Sequence, residues 1–150
     1  MRRAVSVALL IAACGLFAAA AVASPDAPPR ADLTGFVCER TGNALDRVIA
    51  VMVVMRPVSG TQRMQMRFVL QRRSPGAKSF TAVQGGDLGH WLSPTPATLG
   101  QHPNDVWRLR KLVANLVGPA TYRFRVSFRW LGGSSTLGHS TLTSSTCSEP

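Results

Sequence analysis

The chain has 150 residues, a formal net charge of +10 and 45% hydrophobic residues. That is one domain with a modest core, and it excludes a large catalytic barrel, which needs about 250 residues. A charged fraction of only 16% excludes a disordered polyelectrolyte.

The first element is a leader. Arg2 and Arg3 precede a run from Ala4 to Ala23 that is almost wholly apolar and ends in Ala21-Val22-Ala23. A positive start, an apolar stretch and small residues before a polar turn make residues 1–23 an export signal that is cleaved. A retained anchor is the first alternative. The second is lipidation at Cys14, because Ile11-Ala12-Ala13-Cys14 resembles a lipobox, although the sequence stays apolar beyond the cysteine. Cleavage leaves no transmembrane span. It removes Arg2 and Arg3, lowering the charge from +10 to +8, and leaves a mature chain about 38% hydrophobic, an ordinary globular value once glycine is added.

Residues 24–32 hold Pro25, Pro28 and Pro29 and read as an extended linker; the domain proper is placed at 33–150. Residues 47–56 carry a β-branched run that is apolar on both faces, the pattern of a central strand. Residues 63–73 alternate: Met64, Met66, Phe68 and Leu70 on one face, Arg63, Gln65, Arg67, Gln71 and Arg73 on the other. A short strand is predicted over 79–84, with Phe80, Ala82 or Val83 inward. Residues 85–105 contain four glycines and three prolines and no long apolar period; Trp91 and Leu92 are expected to tuck this long loop into the core. A strand resumes over 107–113. In residues 122–131, Tyr122, Phe124, Val126, Phe128 and Trp130 share one face, with Arg123, Arg125 and Arg129 on the other. Gly132-Gly133-Ser134 marks a hairpin, and 135–147 is a weakly patterned edge strand. About seven strands at short spacing predict an all-β antiparallel sandwich.

The stretch Leu116-Val117-Gly118-Pro119-Ala120-Thr121-Tyr122 is the most specific. A leucine six residues before a tyrosine that opens an alternating strand resembles the tyrosine corner of fibronectin type III and other immunoglobulin-like domains. The resemblance implies a single immunoglobulin-like sandwich whose tyrosine packs in the core and bonds backbone through its hydroxyl. An Arg-to-Lys ratio of 15 to 2 and the many alanines resemble small exported proteins of high-GC bacteria, a group that implies a compartment and no defined activity.

Cys38 and Cys147 remain after signal removal. In an oxidising compartment they are expected to pair and close a loop of nearly the whole domain; two free buried thiols are the alternative. This bridge would join the ends of the domain rather than the B and F strands that are bridged in antibody domains. Neither these cysteines nor His90, His102 and His139 have metal-ligand spacing, and no cofactor motif is present.

Catalytic motifs such as G-x-S-x-G and H-E-x-x-H are missing, so an enzyme ranks third among the readings. Asp87, His90, Trp91 and His102, with Asp105 and Trp107, could converge on a ligand or metal in the long loop, or simply face water as loop residues do. The basic charge raises nucleic acid, but the rings and arginines of 122–131 lie on opposite faces, whereas a stacking platform needs both on one. No nucleic-acid partner is expected. If the third and sixth strands are neighbours, Arg63, Arg67, Arg73, Arg123, Arg125 and Arg129 merge into one basic plate facing an anionic cell-envelope polymer. The bland alternative is a solvated, arginine-biased surface. The leading expectation is a non-catalytic exported binding or adhesion module; the second is an accessory domain docking onto another exported protein.

Overall fold

The structure, a computed structural model, describes residues 27–150. The signal expected over 1–23, the lipidation alternative at Cys14 and the first part of the proline-rich linker lie outside the described residues. Among those described, no helix is long and apolar enough to cross a membrane.

The described chain folds as nine strands and one 3-10 turn, Ala44–Asp46. The strands are β1 (Ala31–Glu39), β2 (Val48–Met55), β3 (Arg63–Arg73), β4 (Thr81–Ala82), β5 (Trp91–Leu92), β6 (Trp107–Ala114), β7 (Ala120–Gly132), β8 (Ser135–Thr143) and β9 (Cys147–Glu149). One sheet has the order β1-β2-β6; the other runs β4-β3-β7-β8, with β5 also beside β3 and β9 beside β7. Every pairing is antiparallel.

β2 is the centre of the first sheet, as its two-faced apolar run requires. Ile49, Val51, Val53 and Met55 enter the core, and Ala50 and Val54 are buried on the opposite face. β3 and β7 form the longest pairing, from Arg63 opposite Leu131 to Arg73 opposite Thr121. Their inward side chains meet those of β2 and the buried Trp107 in a single core. Phe68 and Phe124 pack edge to face with centroids 6.3 Å apart, and the indole N–H of Trp130 donates to the carbonyl of Arg56 at 2.7 Å. Both arrangements suit aromatic groups that must bury a ring without orphaning a donor.

Cys38 and Cys147 are disulfide-bonded, with Cα atoms 5.5 Å apart, so the bridge ties β1 of one sheet to β9 of the other. Between Phe124 and Tyr122 the β7 edge changes partner. Ser144 exchanges bonds with Phe124 through its backbone N–H and its hydroxyl, and the chain then re-pairs as β9, with Cys147 opposite Tyr122. The single strand expected over 135–147 is therefore interrupted, and the break delivers Cys147 to the bridge.

Four local expectations are corrected. The first strand begins at Ala31, two residues before the expected domain start. The strand expected over 79–84 shrinks to β4, whose two residues are exposed, and Phe80 turns away from the core onto the outer face of β3. The loop 85–105 contains β5, and the outer edge of β3 is bonded by backbone both before and within the loop: Val83 N–H donates to the carbonyl of Leu70 at 2.8 Å and Gly89 N–H to that of Phe68 at 2.7 Å. Leu92 packs against the core as expected, but the adjacent Trp91 points to the other side of the sheet, since neighbouring strand residues face opposite ways.

Candidate functional site: an arginine face on the second sheet

Because β3 and β7 are neighbours, their outward residues form one surface. The pairings Gln65–Arg129, Arg67–Ser127, Val69–Arg125 and Gln71–Arg123 set guanidiniums opposite amide, hydroxyl or apolar groups rather than opposite one another. This register reduces the like-charge repulsion that directly opposed arginines would create. Arg129 Nε donates to Gln65 Oε1 at 2.6 Å, and Arg123 Nε to Gln71 Oε1 at 2.9 Å. Each bond orients a guanidinium and leaves its terminal nitrogens available.

Two rings brought in by the edge segments brace the same groups. Arg67 and Arg129 lie 4.9 and 4.1 Å from the Trp91 ring centre. Arg73 and Arg123 lie 4.9 and 3.9 Å from that of Phe80. Such contacts are worth about 0.5–1 kcal/mol each at exposed sites and hold long side chains in a restricted arrangement. Arg63, at the start of β3, and Arg125, between Val69 and Thr143, are exposed.

No Asp or Glu occurs in β3, β7 or β8, and none of the six arginines forms an ion pair among the described residues. Arg67 Nε is buried under this layer without an acceptor. The third outer row comes from β8: His139 is opposite Arg129, Thr141 opposite Ser127 and Thr143 opposite Arg125. The face thus presents uncompensated cations flanked by hydroxyl and imidazole groups.

The loop residues divide between different surroundings. Asp87 is ion-paired with Lys111 of β6, and that bond holds its carboxyl below the usual carboxylate range. With Leu88 and Lys111 it lines a shallow hollow of about 330 Å³. His90 is exposed beside it, its backbone N–H donating to the carbonyl of Asp87. His102 lines a different hollow with Arg30, Val58 and Gly60. Its neighbour Asp105 accepts from the backbone N–H groups of Gly100 at 2.7 Å and His102 at 3.1 Å, which lower its pKa. This knot closes the tight turn where Gly100 adopts φ +107° and its Cα lies too close to Met64 for a side chain. Trp91 belongs to the arginine face. Among the described residues, the three clustered ligating groups are Cys38, Cys147 and Glu149, and there the two sulfurs are bonded to each other.

The alternation in 63–73 and 122–131 identified all six arginines of the face. Phe80 carried no comparable signal, because its segment is too short to show a period. His139, Thr141 and Thr143 were legible only as alternate positions of a polar strand. The separation of rings from arginines holds within β7 but not for the whole sheet, since Trp91 and Phe80 come from elsewhere. No protein-family profile matches the chain, and no significant match was found among curated proteins or solved structures.

Proposed function

We propose that this protein is a non-catalytic, exported binding module of the immunoglobulin-like class, whose arginine face holds an anionic cell-envelope polymer. The observation that carries the reading is the merging of β3 and β7 into one surface with six arginines, two bracing rings and no carboxylate. Guanidiniums held in place lose less entropy on meeting phosphate, sulfate or carboxylate groups, and their fork geometry suits such oxyanions. Trp91 and Phe80 serve the arginines, which favours a polyanion over a ligand that needs open ring faces for stacking.

The fibronectin type III reading draws support from two features. The first, second and fifth principal strands (β1, β2, β6) share one sheet, and the third and sixth (β3, β7) pair in the other, the partition known for this class. The Tyr122 hydroxyl donates to the carbonyl of Val117 at 2.7 Å beside buried Leu116, as a tyrosine corner does. Export is supported by the leader-like sequence and by the disulfide, which persists in oxidising compartments.

The test is retention on purified bacterial cell wall, before and after removal of its anionic polymer, at low and high salt. Retention is expected only on intact wall at low salt, and the variant Arg123→Gln/Arg125→Gln/Arg129→Gln is expected to lose most of it. Equal retention at both salt concentrations, or by the triple variant, would sink the reading.

A further inference from the structure

The sheet edges are not equivalent. β1 carries a register shift between Thr34 and Val37, at Gly35 with φ +55°, together with Asp32 and Glu39. β6 carries Arg108, Arg110 and Lys111. The outer edge of β3 is covered by β4, β5 and the backbone bonds of the long loop. Bulges, charges and covering segments are the usual means of blocking unwanted strand pairing. β8, Ser135–Thr143 at the end of the sheet order, has no charged side chain and no proline, and its one register shift, at Leu137, lies next to the hairpin and leaves 138–143 in regular pairing with β7.

The orientation of its free groups follows from the ladder. Ser144 N–H donates to the carbonyl of Phe124 on β7. With a period of two, Leu142, Ser140 and Gly138 also turn their backbone groups towards β7, and Thr143, Thr141 and His139 turn theirs outwards. Among the described residues no backbone hydrogen bond is made to these three from the open side; β1 approaches β8 without pairing with it.

We propose that the open edge of β8 is a strand-addition site for an extended segment of another protein, with acidic side chains at alternate positions. Charge complementarity selects this occupant. Residues of an added strand opposite Thr143 or His139 would share the face of Arg125 and Arg129, two strand spacings or about 10 Å away, within reach of an arginine side chain. The intervening residues would sit on the side of Gly138, Ser140 and Leu142, where Leu142 packs against the core, and small or apolar side chains suit that position. A second copy is the poorer occupant, because a chain of net charge +10 repels itself.

The probe is an acetylated, amidated nonapeptide alternating glutamate and valine, read by fluorescence anisotropy. Three comparisons accompany it: the peptide with lysine replacing glutamate, the glutamate peptide with alternate backbone nitrogens methylated, and the protein variant Thr141→Pro. Thr141 N–H is not used in the β7 ladder, so proline there removes an edge donor and leaves that pairing in place. Binding is expected for the unmodified glutamate peptide alone, with each backbone change weakening it about tenfold or more, the equivalent of one lost hydrogen bond. Methylated peptide binding as tightly as its parent would overturn the proposal, because the arginine face alone would then be holding an acidic chain. Absence of binding by the glutamate peptide, or β8-dependent dimerisation of the protein in sedimentation, would overturn it as well. The methylated peptide keeps the test decisive should Thr141→Pro fail to fold.

Discussion

The two faces of the β3–β7 pair are built from the same strands and do opposite things. Inward, Met66, Phe68, Leu70, Phe124, Val126 and Phe128 are wholly buried and pack into one core. Outward, arginines alternate with glutamines and hydroxyls, and two borrowed rings support them. The contrast shows how a small domain separates tasks. A side-chain period of two lets one strand contribute to stability with every second residue and leaves the others for an outer surface, here the proposed binding face. A change on one face should leave the other face's property largely intact.

The largest effect should come from the inner face. Phe124→Ala removes a fully buried ring from the edge-to-face pair and should cost about 3–5 kcal/mol in denaturant unfolding. The fraction still folded should keep the wall retention of the unaltered protein. Replacing both bridge cysteines, Cys38→Ala/Cys147→Ala, unties β1 from β9 and should cost about 2–5 kcal/mol, with the arginine face unaffected. Reduction of the unaltered protein should bring a comparable drop in its melting temperature.

Tyr122→Phe probes a polar handle on the inner face. It keeps the ring and deletes the bond to Val117, so unfolding should become easier by about 1 kcal/mol. Trp91→Ala sharpens the comparison from the outer side. It removes the support of Arg67 and Arg129 at a stability cost of about 1 kcal/mol or less, but wall retention should fall clearly. A large loss of stability with unchanged retention would mean that Trp91 is a structural plug instead.

Much of this architecture was legible from pattern. Periodicity in 63–73 and 122–131 located β3 and β7 and sorted their side chains by face, because alternation is a local property of extended chain. The two-faced apolar run identified β2 as central, and the leucine-to-tyrosine spacing anticipated the bond made by Tyr122. The segments without a period were less transparent. Trp91 was expected in the core because large rings are usually buried, but β5 pairs Trp91 with outward-facing Arg67 and so turns it outwards. Phe80 went the same way. The one-strand reading of 135–147 missed the interruption after Thr143, since serines and threonines alternate too weakly to mark it.

The amino-acid sequence by itself determined the class of fold, the inward and outward sets of the long strands and the two cysteines available near the domain ends. Each depends on residue spacing along one strand or on residue identity. Only the tertiary structure decided that β3 lies beside β7, that Trp91 and Phe80 brace the arginines, that Cys38 meets Cys147, and that β8 keeps an open edge. Those outcomes depend on which distant segments pair, and pairing is settled by burial of the whole core rather than by any local pattern.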